Sequence, residues 1–537
     1  MRVKTPLRVT AASAVLALGL AACGGGGGSS TENEPEAGEP TGKPGGTYSA
    51  ELTEPSYLAP ASNCYEGECS AVLDLVNDPL VSVDFEGQLE FDGLAESIEA
   101  NEDQTVWTVT LKDGLEFHNG EPVNSDAFIR AWNYSQNPKN AQATAGFMSH
   151  IKGVGKGAEM AGLKKVDETT FEVTLNGPFS QFGAMMSYAP AFAPIAQECL
   201  DDVKACNEAP IGTGPYQMDG KWRHDEGITV TKWADYQGTQ PAQADTIEFQ
   251  MFTSPTAAFR DYQNGGVDVL QIMPEVYLEA KGQLGDEMLE EPSATLTYLG
   301  FPTKQKPFDD PKVRQALSLS INRDLIIEQV LNGLAKPSTD IVTPPIPGSR
   351  DDACDYCEYD PEKAKELFEE AGVDPKGLTM ELYFNSDAGH DAWVEAAARQ
   401  IQENLGIDYK LKSTEWAQYL ELLDGGKFTG PFRLGWSLDY PSPENYLRPI
   451  VGTGGDSNYT GYSNPEVDEL LKKGDQAGSS EESFEFYQQA GDVALEEMPI
   501  IPMWSGVNPV GFSENVSGVR YDVGQGEVAF GEITVNQ

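Results

Sequence analysis

Between Leu378 and Ser437 the apolar pattern switches repeatedly between strand and helix periodicity, and no other feature limits the possible folds as tightly. Leu378–Phe384 reads as a strand, and Ala392–Leu405 as a helix with Val394, Ala398, Ile401 and Leu405 inward. Ile407–Ser413 reads as a second strand, Glu415–Leu423 as a helix and Phe432–Ser437 as a third strand. Strands alternating with helices favour parallel pairing through right-handed crossovers. Ligands of such sheets bind beyond the carboxyl ends of the strands. There the chain continues Leu438-Asp439-Tyr440-Pro441-Ser442-Pro443, a turn stiffened by two prolines. Gly435, Trp436, a lone carboxylate at Asp439 and Tyr440 make a composition suited to gripping an organic ligand.

The chain has 537 residues, too many for one ordinary domain. Its formal charge is -49, spread along the sequence rather than blocked. A surface this acidic repels nucleic acid and anionic lipid, so neither is an expected partner, and it reads as a highly solvated face suited to a salty or exposed setting.

Arg2, Lys4 and Arg8 form a basic leader and Ala11–Leu20 a short apolar core, too short for the roughly 20 residues that span a bilayer. Leu20-Ala21-Ala22-Cys23 resembles the bacterial lipobox, which makes Cys23 the expected lipidation site and residues 1–22 a lipoprotein signal peptide. Residues 23–46, rich in Gly, Ser, Glu and Pro, read as a flexible tether. The remaining cysteines form three close sequence pairs: Cys64 with Cys69, Cys199 with Cys206, and Cys354 with Cys357. Outside the cytoplasm these read as disulfides, the local pairing being preferred while spacing leaves the others open. Each local bridge is worth at most about 2–3 kcal/mol. Cys354-Asp355-Tyr356-Cys357 lacks the second pair or His pair that a zinc site needs.

Elsewhere the chain is well punctuated. Thr105–Leu111 alternates with Trp107, Val109 and Leu111 on one face; Asn124 or Ser125 caps a helix; Phe171–Leu175 repeats the strand pattern. Asp310-Pro311, Asn322 and Asp360-Pro361 start helices. Gly212-Thr213-Gly214-Pro215-Tyr216 reads as a tight loop whose glycines supply positive φ. The histidines, His118, His150, His224 and His390, are far apart, read as surface or turn residues, and have no metal-ligand spacing. There is no nucleophile elbow, P-loop or dinucleotide fingerprint. No enzyme activity, metal or cofactor is expected.

Several segments together resemble the extracytoplasmic solute-binding proteins of ABC importers, in the oligopeptide- and dipeptide-binding family (solute-binding protein family 5). They are Leu94-Ala95-Glu96-Ser97, Trp107–Leu111 with Phe117-His118-Asn119-Gly120, Gly212–Tyr216, Asp310–Leu317, Tyr359–Ala364, Gly435-Trp436 with Asp439-Tyr440, and Tyr462–Asp468. The resemblance implies an α/β, two-lobed, periplasmic-binding-protein-like fold with a hinge. Residues 47–295 would form lobe I with an extra α+β subdomain at about 80–195, residues 296–504 lobe II, and residues 505–537 a return to lobe I. The crossings would be strands Thr295–Gly300 and Ile500–Trp504.

The resemblance also implies roles. Asp439 is similar in placement to the aspartate that pairs with a peptide's α-ammonium, and Arg433 to an arginine that meets peptide carboxylates. Backbone at Gly435 and Ser437 would bond the peptide main chain, with Trp436 and Tyr440 completing the ligand-binding set. The implied protein is a monomer on the outer face of the cell membrane, contacting it only through lipid on Cys23. It would capture peptides and deliver them to a membrane permease driven by an ATPase. Oligosaccharide or nickel-chelate binding, peptide sensing and, last, surface hydrolysis are the alternatives. The loop Asn63–Cys69 and the segment Asn77-Asp78-Pro79-Leu80 depart from the family pattern and leave ligand size and identity open.

Overall fold

The computed structural model describes residues 42–84, 87–386, 389–522 and 526–536. The expected signal peptide, the expected lipidation site Cys23 and the expected tether as far as residue 41 lie outside the described residues. One eleven-stranded sheet runs through the molecule. Its middle is a pair of 13-residue antiparallel strands, Met288–Gly300 and Ile500–Phe512. Their register shifts between Pro292 and Leu296. At the Gly300–Ile500 end the sheet continues through Phe432–Ser437, Thr379–Asn385 and Asp408–Thr414. At the other end it continues through Val269–Gln271, Thr47–Leu52 and Thr246–Met251.

The parallel pairing read from the alternation is present. Thr379–Asn385 pairs with Asp408–Thr414 along its whole length, and Tyr383 pairs with Phe432. The helices between these strands, Asp391–Leu405 and Trp416–Asp424, bury Val394, Ala398, Ile401 and Leu405, and Tyr419 and Leu423, respectively.

Apolar packing partitions along the chain. One core draws only on residues between Ala294 and Trp504. Another joins Tyr48 and its neighbours to Val510–Ile533, so the first and last parts of the fold share an interior. There the buried hydroxyl of Tyr48 donates to the carbonyl of Phe530 at 2.6 Å. A third core fills a separate four-stranded antiparallel sheet containing Val106–Leu111, with Trp107, Val109 and Leu111 inward, against the helix Ser125–Gln136. Asn124 caps that helix by accepting from the N–H of Ala127.

Three readings are corrected. Gly212 and Gly214 do not adopt positive φ; they are needed because the loop presses on the end of the helix Gly67–Val76. A Cβ at Gly212 would lie 2.0 Å from the carbonyl oxygen of Val76, and one at Gly214 2.5 Å from that of Leu75. His118 is no surface residue. Its Nδ1 accepts from the N–H of Gly212 at 3.2 Å and its Nε2 donates to the carbonyl of Gly214 at 3.0 Å. Burial holds it neutral, with its pKa pushed down to about 4. Asn63–Cys69 is not all loop either, since the helix begins at Gly67 and takes in Cys69.

The cysteines are bridged locally, with Cα separations of 5.9 Å for Cys64–Cys69, 5.0 Å for Cys199–Cys206 and 5.5 Å for Cys354–Cys357. Among the described residues no helix is long and apolar enough to cross a membrane.

Candidate functional site

Strand register defines a cleft. Val269–Gln271 pairs with the crossing strand from Phe512 back to Val510, so its carboxyl end points toward the middle of that strand. Phe432–Ser437 pairs with the other crossing strand from Gly300 back to Thr295 and points toward the middle from the opposite side. The strands parallel to each follow suit. Loops after Leu52, Met251 and Gln271 therefore face loops after Asn385, Thr414 and Ser437, the position at which open α/β sheets bind ligands.

Arg433 lies on the second of these walls. Its guanidinium is largely buried between Tyr298 and Tyr419, and burial lowers its pKa to about 10. Nη1 donates to Asn385 Oδ1 at 3.3 Å, while Nε is buried without a hydrogen-bond partner. No carboxylate pairs with it among the described residues. Leaving a buried cation uncompensated costs several kcal/mol. Gly435 lies beside it: a Cβ there would be 3.4 Å from Arg433 Nη2, an ordinary contact.

Beyond Phe432 this strand has a sheet partner on one side only, because its contact with Thr379–Asn385 ends at Tyr383–Phe432. Gly435 and Ser437 thus lie on a half-open strand edge, with Ser437 exposed. Such an edge can accept an added extended segment.

Asp439 follows in the turn. Its N–H donates to Asn445 Oδ1 at 3.0 Å, and its Oδ2 accepts from Asn445 Nδ2 at 2.9 Å. Burial, helped by the nearby Glu444 charge, raises its pKa against the opposing Asn445 bond. Among the described residues it has no cationic partner. Trp436 donates from Nε1 to the same Asn445 Oδ1 at 3.3 Å. Asn445 therefore ties the aromatic and the carboxylate into one unit. Sequence reasoning missed it; the signal was its place in the first turn of the helix Pro443–Val451, whose cap is Ser442.

Tyr440 points elsewhere. Its ring is buried in the core of the four-stranded sheet and its hydroxyl donates to Glu444. Next to it Ser442 donates to Gln181 at 2.9 Å. The geometry thus brings Arg433, Gly435, Trp436, Ser437 and Asp439 together along one strand and turn, and sets Tyr440 behind them. None of the six lines the cavity of about 730 Å³ between Asp74 and Pro347, although Pro441, the residue after Tyr440, does. No three His, Cys, Asp or Glu side chains among the described residues are grouped to hold a metal.

Fold and cleft together define the two-lobed, periplasmic-binding-protein-like class. The unliganded open form of the murein tripeptide-binding protein MppA superposes with a TM-score of 0.80 at 22% identity, covering 92% of this chain and 99% of that one. The family model of bacterial extracellular solute-binding proteins, family 5 (middle), matches residues 92–458, and the chain belongs to this family. Over 506 residues it is 28% identical to the oligopeptide-binding protein OppA of Bacillus subtilis (strain 168), covering 89% of this chain and 90% of that protein. It is also similar to the dipeptide-binding protein of Escherichia coli (strain K12), at 27% identity over 76% of this chain and 79% of that protein.

Proposed function

We propose that this chain is the peptide-capturing component of an ABC importer, lipid-anchored at Cys23 on the outer face of the cell membrane and without catalysis of its own. One observation carries the reading: Arg433 and Asp439, opposite in charge and each without an ionic partner among the described residues, flank a half-open strand edge. A zwitterion with an extended main chain answers all three features. Its ammonium pairs with Asp439, its carboxylate or an acidic side chain with Arg433, and its main chain with the backbone at Gly435 and Ser437. The names of the similar proteins, oligopeptide-, dipeptide- and murein tripeptide-binding, support this. The crossing strands would serve as the hinge between lobe I (47–295 and 505–537) and lobe II (296–504), and the monomer would hand its ligand to a membrane permease.

A thermal-shift screen tests this. Di- to hexapeptides should stabilise the protein as RT ln(1 + [L]/Kd), while oligosaccharides and nickel chelates should not. Asp439→Asn should weaken peptides by about 3–5 kcal/mol but leave amino-blocked peptides almost unaffected; equal losses would remove the ammonium role. Turnover of the stabilising peptide would replace this reading with a hydrolase. Cys23→Ala should move the protein out of the membrane fraction.

A further inference from the structure

Burial raises the pKa of three tyrosines, Tyr188, Tyr440 and Tyr446, and the charge of Asp439 adds to the rise in each. Two of the three hydroxyls are committed. Tyr440 donates to Glu444. Tyr446 donates to the carbonyl of Ala294 at 2.6 Å and meets the Thr343 hydroxyl at 2.8 Å. The Tyr188 hydroxyl makes no hydrogen bond among the described residues.

Packing sets Tyr188 at the Asp439 turn independently of charge. It stands directly before the short helix Ala189–Phe192, which packs on Ala61–Asn63 in the loop after Leu52, on the first wall of the cleft. Its half-buried ring lies 4.9 Å from that of Phe147, inclined by 39°. The same ring packs against the core in which Tyr440, the neighbour of Asp439, is buried. Three residues past Asp439, Ser442 donates to Gln181, seven residues before Tyr188. The turn that carries Asp439 and the segment that carries Tyr188 are therefore joined at two points.

A primary ammonium has three N–H donors, and each needs an acceptor once it leaves water. Asp439 cannot give all its capacity to them, because Oδ2 already accepts from Asn445. A phenol oxygen is an acceptor as well as a donor. Stacking on Phe147 holds the Tyr188 ring in place before any ligand arrives, which lowers the cost of using it.

We propose that Tyr188 is a ligand-binding residue of the cleft, whose hydroxyl oxygen accepts an N–H from the ammonium paired with Asp439 and so selects a primary over an alkylated amine. The proposal rests on the peptide reading above and adds to it a contact from the opposite wall.

Calorimetric titration with alanine peptides of two to six residues tests it, each with a free, an N,N-dimethylated and an N-acetylated amino terminus. Dimethylation keeps the charge but leaves a single N–H. Tyr188→Phe keeps the ring against Phe147, so its Tm should match the wild type. It should weaken the free-amine peptides at least about tenfold, or about 1.4 kcal/mol. Dimethylated and acetylated peptides should stay within about twofold of their wild-type affinity. Wild-type affinity for free-amine peptides in Tyr188→Phe, or equal losses for free and dimethylated peptides, would overturn this proposal while peptide binding and the loss in Asp439→Asn still stand. Failure of the wild type to bind any of these peptides would overturn the peptide reading and this proposal together.

Discussion

The guanidinium of Arg433 occupies the space above Gly435, where a Cβ would meet Arg433 Nη2 at 3.4 Å and the carbonyl oxygen of Leu296 at 3.1 Å. The first distance is ordinary contact and the second is tight, so a methyl fits with a small shift while a branched side chain does not. Gly435→Ala should keep ligand affinity within about threefold. Gly435→Val should displace the guanidinium and cost at least about tenfold, or about 1.4 kcal/mol, with little change in Tm. Wild-type affinity in Gly435→Val, measured by calorimetry, would mean that Arg433 does not touch the ligand.

Asp439 carries opposite consequences for the empty and filled protein. A buried acid with a raised pKa binds its proton more tightly folded than unfolded, so the stability it lends is present at low pH and lost as pH rises through that raised value. At neutral pH, Asp439→Asn should therefore stabilise the ligand-free protein, by up to about 2 kcal/mol, while abolishing ammonium recognition. Wild-type affinity for a peptide with a free amino terminus should fall as pH drops through the same value. Urea melts and a pH series of titrations check both signs.

His118 predicts the reverse slope. It is neutral when folded, with a pKa near 4 against an ordinary value of 6.5. Its contribution is complete above about pH 6.5 and drains away as pH falls toward 4, reaching at most about 3 kcal/mol. Acid converts Nδ1 from acceptor to donor and breaks the Gly212 contact. Between pH 7 and 4.5 the wild type should lose more stability than His118→Asn; parallel losses in urea melts would discount the clamp.

Arg323 is buried against backbone carbonyls. It donates to Pro502 at 2.9 Å, to Cys357 at 2.7 Å and to the Ser318 hydroxyl at 2.9 Å, fastening a crossing strand to the Cys354–Cys357 loop. Arg323→Met should cost about 3–5 kcal/mol. Arg323→Lys should recover less than half, because one ammonium cannot reach three separated acceptors. Denaturant unfolding measures both, and full recovery by lysine would refute the fork.

Much of this was legible because local patterns agreed with the tertiary arrangement. Phe432–Ser437 sits where sequence places it, since its apolar residues alternate and its neighbours are Gly and Pro. Asp310, Asn322 and Asp360 cap their helices through their side chains because a cap is a local event. Other features depend on packing between distant segments. The crossing strands run longer than Thr295–Gly300 and Ile500–Trp504, because their outer halves pair with Val269–Gln271 and with each other. Gly212 resembles a turn glycine until the Val76 carbonyl is placed against it. The direction of Tyr440 and the importance of Asn445 follow from burial that no spacing rule encodes. Arg433 and Asp439 were legible only as residue types in an apt position; their lack of ionic partners among the described residues needed coordinates.

The bond from Tyr48 to Phe530 spans 482 residues, and the core around it draws on both ends of the fold. A chain emerging amino end first can close the interior between Ala294 and Trp504 as soon as that stretch is out. Its opening strand pairs with Thr246–Met251 and Val269–Gln271, but the Tyr48 hydroxyl gains its acceptor only once Phe530 is made. Truncation a few tens of residues before the end would remove the Phe530 ring that packs on Phe249 and the carbonyl that receives Tyr48, while the core between Ala294 and Trp504 keeps all its residues, so the part of the fold made first is the part closed last.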